Sequence, residues 1–181
     1  MTALTEYIPQ VINYLLAQAA SSTSLGAAPV PVTVIDGQPV TQDVLVVNET
    51  GLTQRLWVGS SGYVQSGQTD AAAMSHQGFA FINQGRTRDD DIDIACAAEA
   101  IAGDSVMAEA RAGAFAVLAA VELMLRGAPG TSPASPGDTT MGGLVYWSEV
   151  TGPIELMQEQ SSQGSIALVK FRVTAFVRLT S

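Results

Sequence analysis

Residues 165–179 read Ser-Ile-Ala-Leu-Val-Lys-Phe-Arg-Val-Thr-Ala-Phe-Val-Arg-Leu and alternate without a break. Ala167, Val169, Phe171, Val173, Ala175, Val177 and Leu179 fall on one side, and Lys170, Arg172, Thr174 and Arg178 on the other. A period of two marks a β-strand with one buried face. At about 3.3 Å per residue such a strand runs roughly 50 Å if straight, longer than a domain of this size is wide. It is expected to bend or to project beyond its own subunit. Upstream, a turn at Ser162-Gln163-Gly164 connects it to a strand at Ile154 to Gln160, which follows another at Leu144 to Val150. Pairing Gln160 with Ser165 sets Leu156 opposite Val169, Ile154 opposite Phe171 and Glu155 opposite Lys170. Apolar then meets apolar and charge meets opposite charge, so a C-terminal β-hairpin is predicted.

The strongest helical signal precedes that hairpin. Gly103-Asp104-Ser105 offers an N-cap, Val106 to Arg126 carries the helix, and Gly127 with Pro129 ends it. At about 100° per residue, Met107, Ala110, Ala114, Val117, Leu118, Val121 and Leu125 share a stripe that should lie on the sheet. The reverse side is also apolar: Ala108, Ala112, Ala116, Ala119 and Leu123 line up, with Phe115 beside them. Small residues let another backbone come close, so either the N-terminal helix or a neighbouring subunit packs there.

That N-terminal helix is read from Leu4, Ile8, Val11, Ile12, Leu15, Leu16 and Ala19, with Pro9 in its first turn. Ser21 to Ala28 breaks it. Short strands follow at Val30 to Ile35 and Val44 to Val47, separated by Asp36-Gly37 and Pro39, with another at Arg55 to Val58. Gly59 to Gly78 is rich in Gly, Ser, Gln and Ala and reads as a surface loop. Strands resume at Phe79 to Asn83 and Arg88 to Ala97, the latter placing Asp91 and Asp93 on a solvent side and Ile92 and Ile94 on the other. Gly127 to Gly143, dense in Gly, Pro, Ser and Thr, reads as a mobile loop. The predicted fold is one α+β domain over residues 1–181. A mixed or antiparallel sheet carries the N-terminal helix and the long Ala-rich helix, and the chain finishes in the hairpin.

Composition narrows the function classes. Eight Lys and Arg against seventeen Asp and Glu give a net charge of −9, which argues against gripping a phosphate backbone or an anionic membrane. Only 14% of residues are charged, where about 25% is usual, so much of the surface is neutral and suited to burial against other subunits. One cysteine, Cys96, and one histidine, His76, cannot assemble a zinc cluster. The first twenty residues lack the basic start of a signal peptide, and Glu109, Arg111 and Glu122 interrupt the most apolar span. A soluble cytoplasmic product without a membrane partner is expected.

Chemistry-bearing motifs are sparse. Gly59-Ser60-Ser61-Gly62 does not fit the spacing of a nucleophile elbow, and His76 reads as a solvated loop residue. Neither phosphate-cradling glycine pattern occurs. Asp89, Asp90, Asp91 and Asp93 resemble the first ligands of a calcium loop, but Ile94 and Ala100 stand where that loop needs glycine and glutamate. A solvated strand face is the simpler reading, with a weak divalent cation site as the alternative. Cys96 among alanines reads as buried packing. Trp57 and Trp147 read as core or subunit contacts. Arg55, Arg86 and Arg88 are too few and too separated for a nucleic-acid stripe. No cofactor, resident metal or catalytic residue is expected, and the chain is not expected to be an enzyme.

Several stretches together carry a resemblance: Arg88-Asp89-Asp90-Asp91-Ile92-Asp93-Ile94, Ala108-Glu109-Ala110-Arg111, Val117-Leu118-Ala119-Ala120-Val121-Glu122, and Gly142-Gly143-Leu144-Val145-Tyr146-Trp147-Ser148-Glu149-Val150. Leu56-Trp57-Val58-Gly59, Gln163-Gly164-Ser165 and Val169 to Ala175 extend it over most of the chain. The pattern resembles the tail terminator, or tail-to-head joining, proteins of long-tailed bacteriophages. The resemblance implies an α+β subunit that assembles as a hexameric ring in the virion. That ring would cap the finished tail tube and dock to a neck or head-completion protein, with DNA passing through its lumen unbound. Loops 59–78 and 127–143 depart from the compact pattern. In this reading Asp89, Asp91 and Asp93 contribute to the lumen wall or a subunit boundary. Ala108, Ala112, Phe115, Ala116, Ala119 and Leu123 supply subunit or helix packing. The alternatives are a tail-tube or other neck subunit and, from another class, a small hydrolase or ligand-binding domain using His76.

Overall fold

The computed structural model describes residues 4–26, 31–37, 51–62, 71–78, 87–103, 106–126, 138–161 and 164–180. In chain order its elements are α1 (Leu4–Ser21), α2 (Thr23–Gly26), β1 (Val32–Asp36), β2 (Leu52–Val58), β3 (Ala73–Gly78), β4 (Thr87–Ala102), α3 (Met107–Arg126), β5 (Trp147–Ser161) and β6 (Gly164–Thr180). The described chain is therefore α+β, with a mixed six-stranded sheet in the order β1-β2-β4-β6-β5 and β3 also pairing β4. The strands expected at 44–47 and 79–83, and residues 127–137 of the expected long loop, lie outside the described residues.

Two long strands form the spine. β4 and β6 pair antiparallel from Thr87 opposite Thr180 to Ala102 opposite Ser165. The final strand thus finds a partner of its own length inside the chain. β4 runs to Ala102 where the sequence reading stopped at Ala97, because Ala98, Glu99, Ala100 and Ile101 are buried on both sides and show no alternation. Its other edge is shared: β2 pairs from Leu52 opposite Ala102 to Val58 opposite Cys96, and β3 from Ala73 opposite Ile94 to Gly78 opposite Asp89. The presence of β3 corrects the single surface loop read at 59–78. β1 lies parallel to β2 at one side. The segment at 21–28, expected to break structure, holds the one-turn α2 with Leu25 buried.

At the opposite side β5 pairs with β6, as one strand and not two. Gln160 opposite Ser165, Leu156 opposite Val169 and Glu155 opposite Lys170 hold the expected register. Ile154 and Phe171 are not a regular pair, contrary to the expected register. The next regular pair is Thr151 with Arg172, so Gly152, Pro153 and Ile154 face a single residue. Pro153 has no N–H to give the ladder, and the inserted residues form a bulge around it.

α1 and α3 share one face of the sheet. Val11, Leu15 and Ala19 of α1 join Ala110, Ala114, Val117, Val121 and Leu125 of α3, Ile92 and Ile94 of β4, and Val169, Val173 and Ala175 of β6 in one buried cluster. The predicted core stripe of the long helix is the buried one, with Met107 only half-buried. Gly113 sets how close α3 comes: a Cβ there would stand 2.9 Å from the Ala100 Cβ. The Gln54 side-chain amide donates to the Gly113 carbonyl at 2.7 Å, a buried bond that only this close approach permits. Among the described residues, no helix is long and apolar enough to cross a membrane.

Candidate functional site

The second face of the sheet carries the polar features. Strand alternation puts Asp89, Asp91 and Asp93 of β4 on it, along with Arg172, Thr174 and Arg178 of β6. Asp90 points the other way and is fully buried. The acidic row is not bare. Arg178 reaches Asp89 through Nε at 2.6 Å and through Nη2 at 3.0 Å, a two-pronged pair that holds the Asp89 carboxyl below its usual range. Asp93 accepts from the Thr174 hydroxyl at 2.6 Å and from Arg172 at 3.4 Å. Thr174 in turn shares a hydrogen bond with Thr151 of β5. Asp91 stands between them, opposite His76 on one side and Phe176 on the other. The expectation of an acidic strand face turned to solvent is therefore corrected at Asp89 and Asp93, whose charges are matched by Arg178 and Arg172 of the neighbouring strand β6.

His76 lies on β3 and is exposed, with its Nε2 3.5 Å from the Asp93 carboxylate. A cleft of about 300 Å³ opens nearby where the β5 bulge leaves β6, walled by Met74, Asp93, Pro153, Glu155, Lys170 and Arg172. Trp147 stacks on Phe176 at 5.7 Å between ring centres, and the Arg178 guanidinium sits 5.1 Å above the Tyr146 ring.

Further along, the same face is closed. Trp57, Ala97 and Leu168 form a small buried cluster with Ile35 against it. Gly62 packs onto this cluster at a φ of +87°, and a Cβ there would meet Leu168 Cδ1 at 2.8 Å. Beside it, Arg55 pairs with Glu99 at 3.3 Å. Burial pushes the Glu99 carboxyl up, against the pull of the Arg55 guanidinium. Cys96, on the helix-covered face, is fully buried, and burial pushes its thiol up to about 12.

Asp138 belongs to the stretch read as a loose loop, yet it organises a tight turn. Its carboxylate accepts from the Tyr14 hydroxyl of α1 at 2.5 Å, from the Thr140 hydroxyl at 2.7 Å, and from the Thr140 and Gly142 amides. Burial works to raise its pKa, and those bonds outweigh it and lower it; burial and the same carboxylate raise Tyr14 to about 12. Residues 138–143 are thereby pinned to the N-terminal helix.

The alanine-rich outer stripe of α3 is uncovered. Ala108, Ala112, Phe115, Ala119 and Leu123 are exposed and Ala116 is half-buried, with Phe115 at 40% and Leu123 at 38%. α1 is committed to the main core and does not cover it. β5 is the second apolar exposure: Gly152 to Gln160 are exposed throughout, among them Ile154, Leu156 and Met157.

Sequence reasoning missed Arg172, Thr174 and Arg178 as partners of the acidic row, although it placed all three on one strand face. Pairing the two long strands by opposite charge would have found them. Nothing local marked Asp138 as the anchor of a turn. The chain matches no protein-family model and no curated protein.

Proposed function

We propose that this chain is a structural assembly subunit of a long-tailed phage, one that closes into a hexameric ring, caps the finished tail tube and joins it to the neck beneath the head. The reading starts from the sequence resemblance and is supported above all by the bare outer stripe of α3. A helix that buries one face on a sheet normally shows charge on the other. Here Ala108, Ala112, Phe115, Ala119 and Leu123 face outward, and small residues beside one large ring suit close contact with a second copy. The net charge of −9 suits a conduit through which DNA slides without sticking. In that assembly Asp91, between two arginine-matched carboxylates, contributes to the lumen wall or the subunit boundary.

Light scattering and sedimentation of the purified protein, with and without isolated tail tubes, test this. Ring-sized particles and a single cap at tube ends are expected. Ala112→Glu combined with Phe115→Glu should cut assembly about tenfold or more while leaving the monomer folded. A strict monomer indifferent to tubes would overturn the reading. Long open stacks would instead identify a tube subunit.

A further inference from the structure

We infer that the open edge of β5 between Glu155 and Gln160 is a docking site for an extended segment of another protein, one that carries basic residues interleaved with apolar ones. The segment is held ready by its own chain: six consecutive pairs, Glu155 with Lys170 to Gln160 with Ser165, fix it as regular strand. Six residues is the usual length of a strand in a sheet. β5 ends the strand order, so the backbone groups on its far side have no strand partner among the described residues.

Proteins usually blunt such an edge with lysine, proline or a bulge. Here the bulge and Pro153 sit to one side of the paired stretch, which itself holds no lysine or proline and carries charge only at Glu155 and Glu159. It holds apolar groups on both faces instead. Leu156 is 39% exposed toward the helix side and Met157 is 51% exposed toward the outer side. An added strand would cover both while completing the ladder.

Charge selects the partner. Glu155 and Glu159 flank Met157 on the outer face; Lys170 stands across from Glu155, whereas Glu159 stands opposite Ile166 with no cation across from it. A second copy is a poor occupant: antiparallel pairing of two β5 edges about Met157 would set Glu155 against Glu159 of the other copy, between chains of charge −9. A strand with lysines opposite the two glutamates and aliphatic residues opposite Leu156 and Met157 satisfies all four positions. This partner chemistry goes beyond the assembly reading and can fail without it.

The test uses the full-length protein and two synthetic β-hairpins whose outer strand reads Lys-Val-Val-Thr-Lys or Glu-Val-Val-Thr-Glu. Fluorescence anisotropy measures binding, and amide exchange by NMR locates it. The cationic hairpin should bind, protect amides within 155–160 and weaken as salt rises, and the acidic one should not. Glu155→Lys with Glu159→Lys should weaken the cationic hairpin by about tenfold and admit the acidic one. Circular dichroism checks that the variant folds; if it does not, the two hairpins on the unaltered protein decide. Equal binding of both hairpins, protection elsewhere, or no binding of either would overturn the inference, while ring assembly is read separately by particle size.

Discussion

The two faces of this sheet are made by the same strands, yet one is sealed and the other divided. Toward the helices, Leu56, Ile92, Ile94, Ala100, Val169, Val173 and Ala175 are all buried in one continuous cluster under α1 and α3. On the reverse, only the end bearing Trp57, Ala97 and Leu168 is closed, and the end bearing Asp89, Asp91 and Asp93 is held by arginines and hydroxyls from β6. Alternation alone sorts the residues between the two sides. The sealed side carries most of the buried apolar surface, and the divided side is held largely by polar contacts, with the β5 edge beside it. Substitutions on the two sides should therefore differ in kind.

The largest contrast is between Ile94 and Met74. Ile94 is fully buried and Met74 is 38% exposed on the reverse face. Ile94→Ala should cost about 2 to 5 kcal/mol in urea unfolding, and Met74→Ala about 0.5 kcal/mol or less. Comparable losses would mean that the reverse face is sealed too. Next comes Gly113→Val, which drives a side chain into Ala100 and strains the Gln54 bond to the Gly113 carbonyl. A loss of about 1 to 3 kcal/mol is expected, and a larger one if the buried Gln54 amide is left without its acceptor.

These contrasts also explain how much was legible beforehand. Where one face is apolar and the other largely polar, as in β6 from Val169 to Val177 and in β4 from Asp89 to Ile94, alternation reports it directly, and both strands were readable. Where both faces are buried, as at Ala98, Glu99, Ala100 and Ile101, alternation vanishes and the strand seemed to stop early. β3 escaped because Ala73-Met-Ser-His-Gln-Gly78 has no aliphatic rhythm; its place comes from pairing with β4, a non-local cause that composition does not carry. The outer stripe of α3 was visible as a helical pattern, but only the packing of α1 elsewhere shows that it is bare. The Tyr14 to Asp138 bond spans most of the chain and leaves no local mark.

A smaller effect is expected at Asp93, which gathers Thr174, Arg172 and His76 on the divided face. Asp93→Ala should cost about 1 to 2 kcal/mol in unfolding experiments and should widen the neighbouring cleft. Asp93→Asn, which keeps one acceptor for Thr174, should recover part of that loss. Equal losses in both variants would show that the ion pair with Arg172, and not the hydroxyl bond, holds the hub.

The smallest effect is the most diagnostic, because its sign reverses along one face. The Asp89 pKa is lowered by Arg178, so the folded state binds fewer protons than the unfolded state as Asp89 titrates. Its contribution is present above its ordinary pKa and is lost as pH falls through the lowered value. Burial raises the Glu99 pKa, so there the folded state holds the proton longer. That contribution is full below the ordinary glutamate value and is lost as pH rises through the raised one. Thermal unfolding at a series of pH values should therefore show Asp89→Asn flattening the acid limb and Glu99→Gln flattening the decline above it. If Glu99→Gln merely lowers the whole curve in parallel, the Arg55 ion pair outweighs burial, and the closed end of this face is stabilised by charge in the same way as the open end.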